Sequence, residues 1–386
     1  MLITLRTLLP LFFAEGLLLG GGGLIATVLS ITGTRAGFDP TGIGLLGTGY
    51  FGGYLVGCFI NPRLVKAVGH IRVFAAYSAI AGASTLLFVL FVEPWVWVGV
   101  RAVAGFCFSG LFMVMEGWIN STSTNQTRAR VFSIFRMVDM TFVAAGQFLM
   151  PVVGLEGFAI YALISIVTCI SVVPVALGDR SNPRPPEEMV LNLPGIWKIS
   201  PLACGGCLFV GLTNTAFRLI GPIYVADIGF SLSRVAAFIS IAIVASAMMQ
   251  LPLGWLSDRL DRRIAVMLAS GGATAAAIVL ALAPPSAPWL LFASSFAYGG
   301  LSLPLYPLLA AHANDRARSG QFVVVAAGLS TFFSIGALAG PLLASELYAL
   351  FGAHGLFGFL AGMQLCLLGL ASYRYGRRRP QSSEPS

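Results

Sequence analysis

Charge is what this sequence has least of. Only 10% of its 386 residues are Asp, Glu, Lys or Arg, against about 25% in an ordinary soluble chain, too few to clothe a water-facing surface, so a soluble globular domain is excluded. Histidine is scarcer still at three residues. His70, His312 and His354 stand far apart, so no metal site is expected. No glycine-rich loop runs into the Lys-Ser/Thr pair that cradles nucleotide phosphate, which disfavours direct ATP drive. No nucleophile stands beside a base, and no His or carboxylate cluster has ligand spacing, so an embedded enzyme is not expected. Of the six cysteines, Cys58, Cys107, Cys169 and Cys366 are isolated in apolar runs, as small buried hydrophobes are. Cys204 and Cys207 form CGGC, but at the opening of an apolar span rather than beside a soluble α/β pattern, which argues against a redox role.

What the sequence does have is hydrocarbon: 57% hydrophobic residues, 45 Gly and 28 Phe, with a mean hydropathy of +0.87. That composition suits helices packed closely in lipid. At about 20 residues per crossing the length supports one polytopic unit. The first apolar stretch has one preceding basic residue, Glu15 inside it and no small-residue cleavage site, so it reads as a retained helix rather than a secretory signal. Segmenting at charge, Pro and Gly clusters predicts twelve spans, at about 8–32, 42–61, 71–92, 95–119, 131–154, 157–178, 198–224, 233–256, 264–283, 288–312, 321–346 and 350–373. The longest polar interruption, GDRSNPRPPEEMVLNLPG at 178–195, divides the chain near its middle. The expected organisation is a first six-helix bundle over 1–178, a central loop over 179–197, a second six-helix bundle over 198–375 and a tail over 376–386.

The basic residues orient the spans. Of the 23 Lys and Arg, Arg101, Arg136 and Arg218 lie within spans, and only Arg35 and Arg234 fall on the side opposite the N-terminus. Positive residues stay in the cytoplasm, so both termini and the central loop are expected there. The net charge of +8 is then a topology signal. Spread over short turns without an aromatic platform, it does not suit a nucleic-acid partner.

The two halves echo one another. A shift of 190 places Arg128 on Arg318, Phe132 on Phe322, Gly146 on Gly336 and Pro151 on Pro341; a slightly different shift places Gly57 on Gly254 and Asn61 on Asp258. Parallel repeats of this kind mark one large class of transporters. The stretch GWLSDRLDRR at 254–263 resembles the loop signature of the major facilitator superfamily, with its Gly, its Asp and its basic residues in the turn after the second helix of a half. GCFINPRLVKAVGHIR at 57–72 is similar to a worn copy, with Asn61 where the family usually has Asp. RAVAG at 101–105 resembles the family's R-x-x-x-G element, and GALAGP at 336–341 its G-x-x-x-G-P element, which is best known from span five of antiporters but stands here in span eleven. EGWIN, VGHIR and QLPLGWLSDRLDRR together look most like a little-studied bacterial branch.

That resemblance implies an all-α membrane protein of twelve helices in two pseudo-symmetric bundles, with spans one, four, seven and ten lining a central cavity. It also implies that the charged turn latches one half against the other. Gly254, Asp258, Arg259, Arg262 and Arg263 would form the latch near the start of span five, with Arg128, Arg130 or Arg136 in reach, and Asn61 and Arg63 a weaker counterpart.

Six ionisable residues are expected within the spans, and such groups mark function by default: Glu15, Arg101, Glu116, Arg136, Asp139 and Arg218. Arg101 and Glu116 share a helix but lie about 22 Å apart. Arg136 and Asp139 are i, i+3 neighbours, and the hairpin of spans four and five brings Glu116 near Arg136, so Glu116–Arg136 is expected as an ion pair. Glu15 is the first candidate for proton coupling, with Asp139 and Glu116 behind it. Arg101 and Arg218 could hold an anionic group of a substrate. Asn214, within the run Thr213 to Thr215, and Tyr298 and Tyr306 beside Pro304 and Pro307, are further candidate cavity contacts; Gln147 is another. For each of these, interhelical hydrogen bonding or a packed kink is the structural alternative.

The expected function is secondary transport of a small organic solute by alternating access, proton-coupled, by a monomer in the bacterial inner membrane. Its partners would be the solute, protons and lipid, with no cofactor. Import and export are both open. The alternatives are a non-transporting sensor or scaffold on the same fold, which would tolerate neutralising Glu15 and Arg101, and an uncoupled facilitator of an organic anion.

Overall fold

The computed structural model describes residues 2–124, 127–177, 192–317 and 321–376, with the side chains of 2–6, 128–129 and 322–323 excepted. Among these residues every regular element is a helix. Ten helices are long and apolar enough to cross a membrane, and two features turn that number into the expected twelve. Span ten is broken into Pro288–Ser302 and Leu305–Asn314, each too short to cross alone. The break falls at Pro304, whose ring cannot donate the next helical bond. Spans eleven and twelve run as one helix, Phe322–Gly376, through a kink at Gly352 with φ 58° and ψ −139°, a conformation that only glycine adopts without strain.

The other spans follow the apolar runs, and several overshoot them. Span one is Leu2–Arg35, span two Pro40–Val68, span four Pro94–Thr122, span eight Leu232–Arg259 and span nine Arg262–Leu282. Span three is His70–Thr85 with a short continuation, Leu87–Leu90. Span five is Arg128–Gly146 continued by Leu149–Val153, and span six is Ala159–Ile170 continued by Val172–Leu177. Span seven begins later than expected, at Pro201, and runs to Asp227. Its start is set by Ser200, whose hydroxyl accepts from the Ala203 amide at 3.2 Å, an N-cap that with Pro at the first helical position defines the end. The preceding Leu193–Ile199 is a separate short helix, so the last part of the expected central loop is ordered. The rest of that loop and the tail beyond 376 lie outside the described residues.

The repeat is visible in how glycines let backbones touch, the means by which helices associate tightly in lipid. A methyl group added at Gly146 would strike the Gly20 carbonyl, joining spans five and one, and one added at Gly336 would strike the Leu208 carbonyl, joining eleven and seven. Likewise Gly105 meets the Tyr50 carbonyl and Gly299 the Ala242 carbonyl, joining four to two and ten to eight. The turns after spans one and seven both pass through a left-handed glycine, Gly37 at φ 82° and Gly229 at φ 83°, each followed by Phe and then a helix-capping residue, Asp39 or Ser231.

The bundles touch in the half of the molecule away from the termini. Span two packs on span eleven, where the Thr48 hydroxyl donates to the Leu338 carbonyl at 2.7 Å and the Thr41 hydroxyl to Glu346 at 2.5 Å. Gly44 and Gly47 lie directly against Leu342, Ser345 and Pro341. Spans five and eight meet where the Ser240 hydroxyl donates to the Ala144 carbonyl at 2.8 Å. Toward the termini, the ion pairs between described residues each stay within one bundle.

Candidate functional site

The ionisable residues of spans one, four and five converge. Arg136 lies 3.6 Å from Glu116 and 3.3 Å from Asp139, so the expected pair is a triad in which one guanidinium serves two carboxylates. These side chains keep 45%, 42% and 21% of their surface accessible although they sit within apolar spans. They face the other bundle: Asp139 is within electrostatic range of Arg218 on span seven, and Arg136 and Glu116 within range of Tyr306 on span ten. Charged, accessible side chains aimed at an opposing bundle describe a wet cleft rather than a lipid-facing surface.

Glu15 lies behind this triad. It is fully buried, within electrostatic range of Asp139, Arg136 and Glu116, and neither carboxylate oxygen has a hydrogen-bond partner among the described residues. Its neighbour Gly16 lies against the Phe142 ring of span five, which closes that side. A bare carboxylate in such a place costs several kcal/mol, whereas the protonated acid does not carry that penalty.

Arg101 does not line the cleft. It is only 5% exposed, because span four turns it into the first bundle: its Nε donates to the Leu46 carbonyl at 3.3 Å and its guanidinium lies 4.3 Å above the Tyr50 ring. Arg218, half-buried on span seven, is the arginine within range of the triad. Asn214 and Tyr298 are also withdrawn from the cleft. Both are buried in a polar cluster of the second bundle where Ser302 donates to Asn214 at 3.2 Å and Gln364 donates to Ser302 at 2.8 Å and Thr213 at 3.3 Å. These bonds tie spans seven, ten and twelve through Asn214, Ser302 and Gln364, while Tyr298 packs its ring on Phe217 of span seven at 5.0 Å. Gln147 likewise ties span five to the Gly23 carbonyl of span one at 3.2 Å. Tyr306 is half-buried at the cleft, its hydroxyl 2.9 Å from Ser330 and its ring edge-on to Phe333 at 5.6 Å.

Aromatic residues that sequence reasoning passed over complete the cleft. Phe333 meets Phe51 of the first bundle at 6.4 Å, and Phe51 continues through Tyr54 to Phe112 at 6.4 and 6.5 Å. This row crosses from bundle to bundle just below the Thr48–Leu338 contact. In a chain with 28 Phe no local signal separates these rings from lipid-facing ones, although the tight TGYFGGY at 48–54 marks the place.

The charged turn is tied inside its own bundle. Asp258 has a 70% accessible side chain and pairs with Arg262 at 3.3 Å, not with span five. Arg262 also forks onto Asp315, in the turn after span ten, and Arg263 donates to the Arg374 carbonyl at 2.6 Å at the end of span twelve. Arg259 stacks over Trp255 at 4.0 Å, and Gly254 has open space around it. Among the described residues the turn makes no ion pair across to span five; the side chain of Arg128, its expected partner there, lies outside them. Arg136 is committed to the triad, and Arg63 is exposed. Asn61 is turned into its own bundle here. Fully buried, it donates to the Phe106 carbonyl at 3.0 Å and to Ser109 at 2.7 Å and accepts from Tyr77 at 2.6 Å, pinning spans two, three and four together.

Comparison with known proteins agrees with the geometry. The model of the Major Facilitator Superfamily matches residues 11–242 and again 202–386, two overlapping matches that together cover nearly the whole chain. An uncharacterized MFS-type transporter of Yersinia pestis is 23% identical over 335 residues, 84% of this chain and 85% of its own. The uncharacterized MFS-type transporter YcaD of Escherichia coli is 24% identical over 332 residues, with the same coverage. Among solved structures, the nucleoside transporter NupG superposes with a TM-score of 0.79 at 14% identity over 98% of this chain and 100% of its own. A bacterial homolog of the human lysosomal transporter Spinster, in an inward-facing and unoccupied conformation, superposes at 0.76 and 14% over 96% of each chain. At these identities the structural likeness concerns the fold.

Proposed function

Because the chain belongs to the Major Facilitator Superfamily, and is thereby a multi-pass membrane transporter, we propose that it couples proton movement to the passage of a small organic solute by alternating access. The observation that carries this reading is the buried, unpartnered Glu15 directly behind the Glu116–Arg136–Asp139 triad. Glu15 holds a proton when the cleft faces the termini, and loses it when motion of span five brings the Arg136 cation closer, since a nearby cation favours the ionised acid. Arg218, on the opposing bundle, takes an anionic group of the solute in competition with Asp139. The rings of Tyr54, Phe112, Tyr306 and Phe333 supply the apolar contact.

The skew of Lys and Arg toward one side supports cytoplasmic termini in a bacterial inner membrane, and on that orientation the conformer described is inward-facing. In the outward-facing state the turn at 254–263 swings against the start of span five, and Asp258 exchanges Arg262 for Arg128 or Arg130. Both bundles come from one chain, so a monomer suffices.

The test begins with a metabolite and drug panel screened by thermal shift, then counterflow on any hit in liposomes. With that solute, Glu15→Gln is expected to keep counterflow and lose accumulation driven by a pH gradient; full gradient dependence in the variant refutes the carrier. Asp258→Asn is expected to lower transport and shift cysteine labelling toward the inward-open pattern.

A further inference from the structure

We propose that the first bundle holds a small inorganic anion, chloride in a chloride-containing medium, in an internal cavity beside Arg101, distinct from the cleft between the bundles. The cavity lies among spans one, two, three, four and six. Its walls include Arg101, Tyr50, Ser84, Thr85 and Thr168, and are otherwise apolar, with Ile25 and Phe88 among them. There is room for little more than an occupant or two the size of a water molecule, which suits a monatomic ion and excludes an organic solute.

Charge makes the case. An arginine cannot shed its proton to escape a buried site, so a guanidinium only 5% exposed needs a counter-charge. Between described residues no carboxylate forms an ion pair with Arg101, while Arg136 has two. The Leu46 carbonyl and the Tyr50 ring supply partial charge only, and the terminal nitrogens of Arg101 make no hydrogen bond to any described residue. Thr168 points to the second half of the site: it is 3% exposed, lines the cavity, and its hydroxyl proton is uncommitted among the described residues. Thr85 differs, for its hydroxyl already donates to the Ala81 carbonyl at 2.9 Å. Two buried residues with uncommitted donors, one of them cationic, thus line one small space whose wall holds no carboxylate. A cation is repelled there, and a water molecule would satisfy the N–H groups without balancing the charge.

This assignment does not depend on proton coupling, and its test uses no transport assay. The purified full-length protein is held in gluconate at constant ionic strength while chloride or bromide is titrated in, with unfolding followed by tryptophan fluorescence. A saturable rise in Tm of about 2 °C or more is expected. Thr168→Val is expected to raise the half-saturating concentration roughly tenfold, the usual worth of one hydrogen bond to a charged group. Arg101→Gln removes the response and Arg218→Gln keeps it. A wild-type protein with no saturable, halide-specific shift overturns the proposal, as does an unaltered titration in Thr168→Val, which also decides the matter if Arg101→Gln does not fold. Loss of the response in Arg218→Gln alone places the anion in the cleft instead, and equally overturns it.

Discussion

The two bundles share one framework and put their polarity in different places. The first carries ionisable groups within its spans, Glu15 and Arg101 buried and Glu116, Arg136 and Asp139 at the cleft, while its turn at 57–72 is quiet, with Asn61 folded into the core by three hydrogen bonds. The second reverses this. Its interior cluster of Thr213, Asn214, Tyr298, Ser302 and Gln364 is neutral, and its ion pairs gather at the rim, where Arg262 links Asp258 to Asp315. A neutral network keeps helices in register without responding to protonation, whereas an acid beside a shared cation changes state when either moves. The first bundle thus holds most of the groups suited to ion chemistry, and the second, Arg218 apart, is built for geometry.

The largest expected break in this comparison pairs Glu15→Gln with Gln364→Leu. The first should abolish gradient-driven accumulation in liposomes; the second should leave coupling intact. Loss of coupling in both would end the division of labour. Next come the equivalent close contacts. Gly105→Val and Gly299→Val each push a side chain into a neighbouring carbonyl and should each cost about 3 kcal/mol, read as matching losses of thermal stability in detergent. Unequal losses would show that the repeat does not extend to packing.

A smaller effect, about 1–3 kcal/mol, is expected from Gly47→Ala, which sets a methyl group against Pro341. It acts on the contact between bundles, so it should increase cysteine labelling on that face without lowering the stability of either bundle. Gly254→Ala, with open space around the site, is the control and should change stability by less than about 0.5 kcal/mol. Gln364→Leu itself should cost about 1–2 kcal/mol, since it removes hydrogen bonds to Ser302 and Thr213 but also relieves an acceptor oxygen that has no partner. Apart from that control, the smallest effect belongs to the rim. Asp315 is half exposed, so Arg262→Ala should cost no more than about 1 kcal/mol, measured by thermal unfolding at low and high salt.

Much of the fold was legible because lipid permits few solutions: apolar runs of spanning length, the skew of Lys and Arg, and the alignment of Gly146 with Gly336 lead to the twelve spans in two related halves. The match of GFD at 37–39 with GFS at 229–231 carries the same repeat, but three residues mean little until both are seen to turn a chain into a helix. At the site, Glu15, Glu116, Arg136 and Asp139 stood out as charges in apolar surroundings, and i, i+3 spacing with the hairpin sufficed to group them. The direction each side chain faces was not legible. Arg101 and Arg218 look alike in sequence, yet a rotation of their helices relative to the cleft buries one and opens the other. Asn61 is a similar case: at the end of a span, a polar residue can point to a partner bundle or to its own neighbours, and here it points to its neighbours. The cleft aromatics had nothing to distinguish them from the many rings that meet lipid.

Spans eleven and twelve have no loop between them, only the bend at Gly352. A short bend cannot absorb a sliding motion the way a slack linker can, so displacing span eleven from span two must drag span twelve, and Gln364 with it, like the second arm of a bell crank. Replacing that glycine with a flexible insert would uncouple the arms, leaving an outer mouth free to part while the far side of the second bundle stays still.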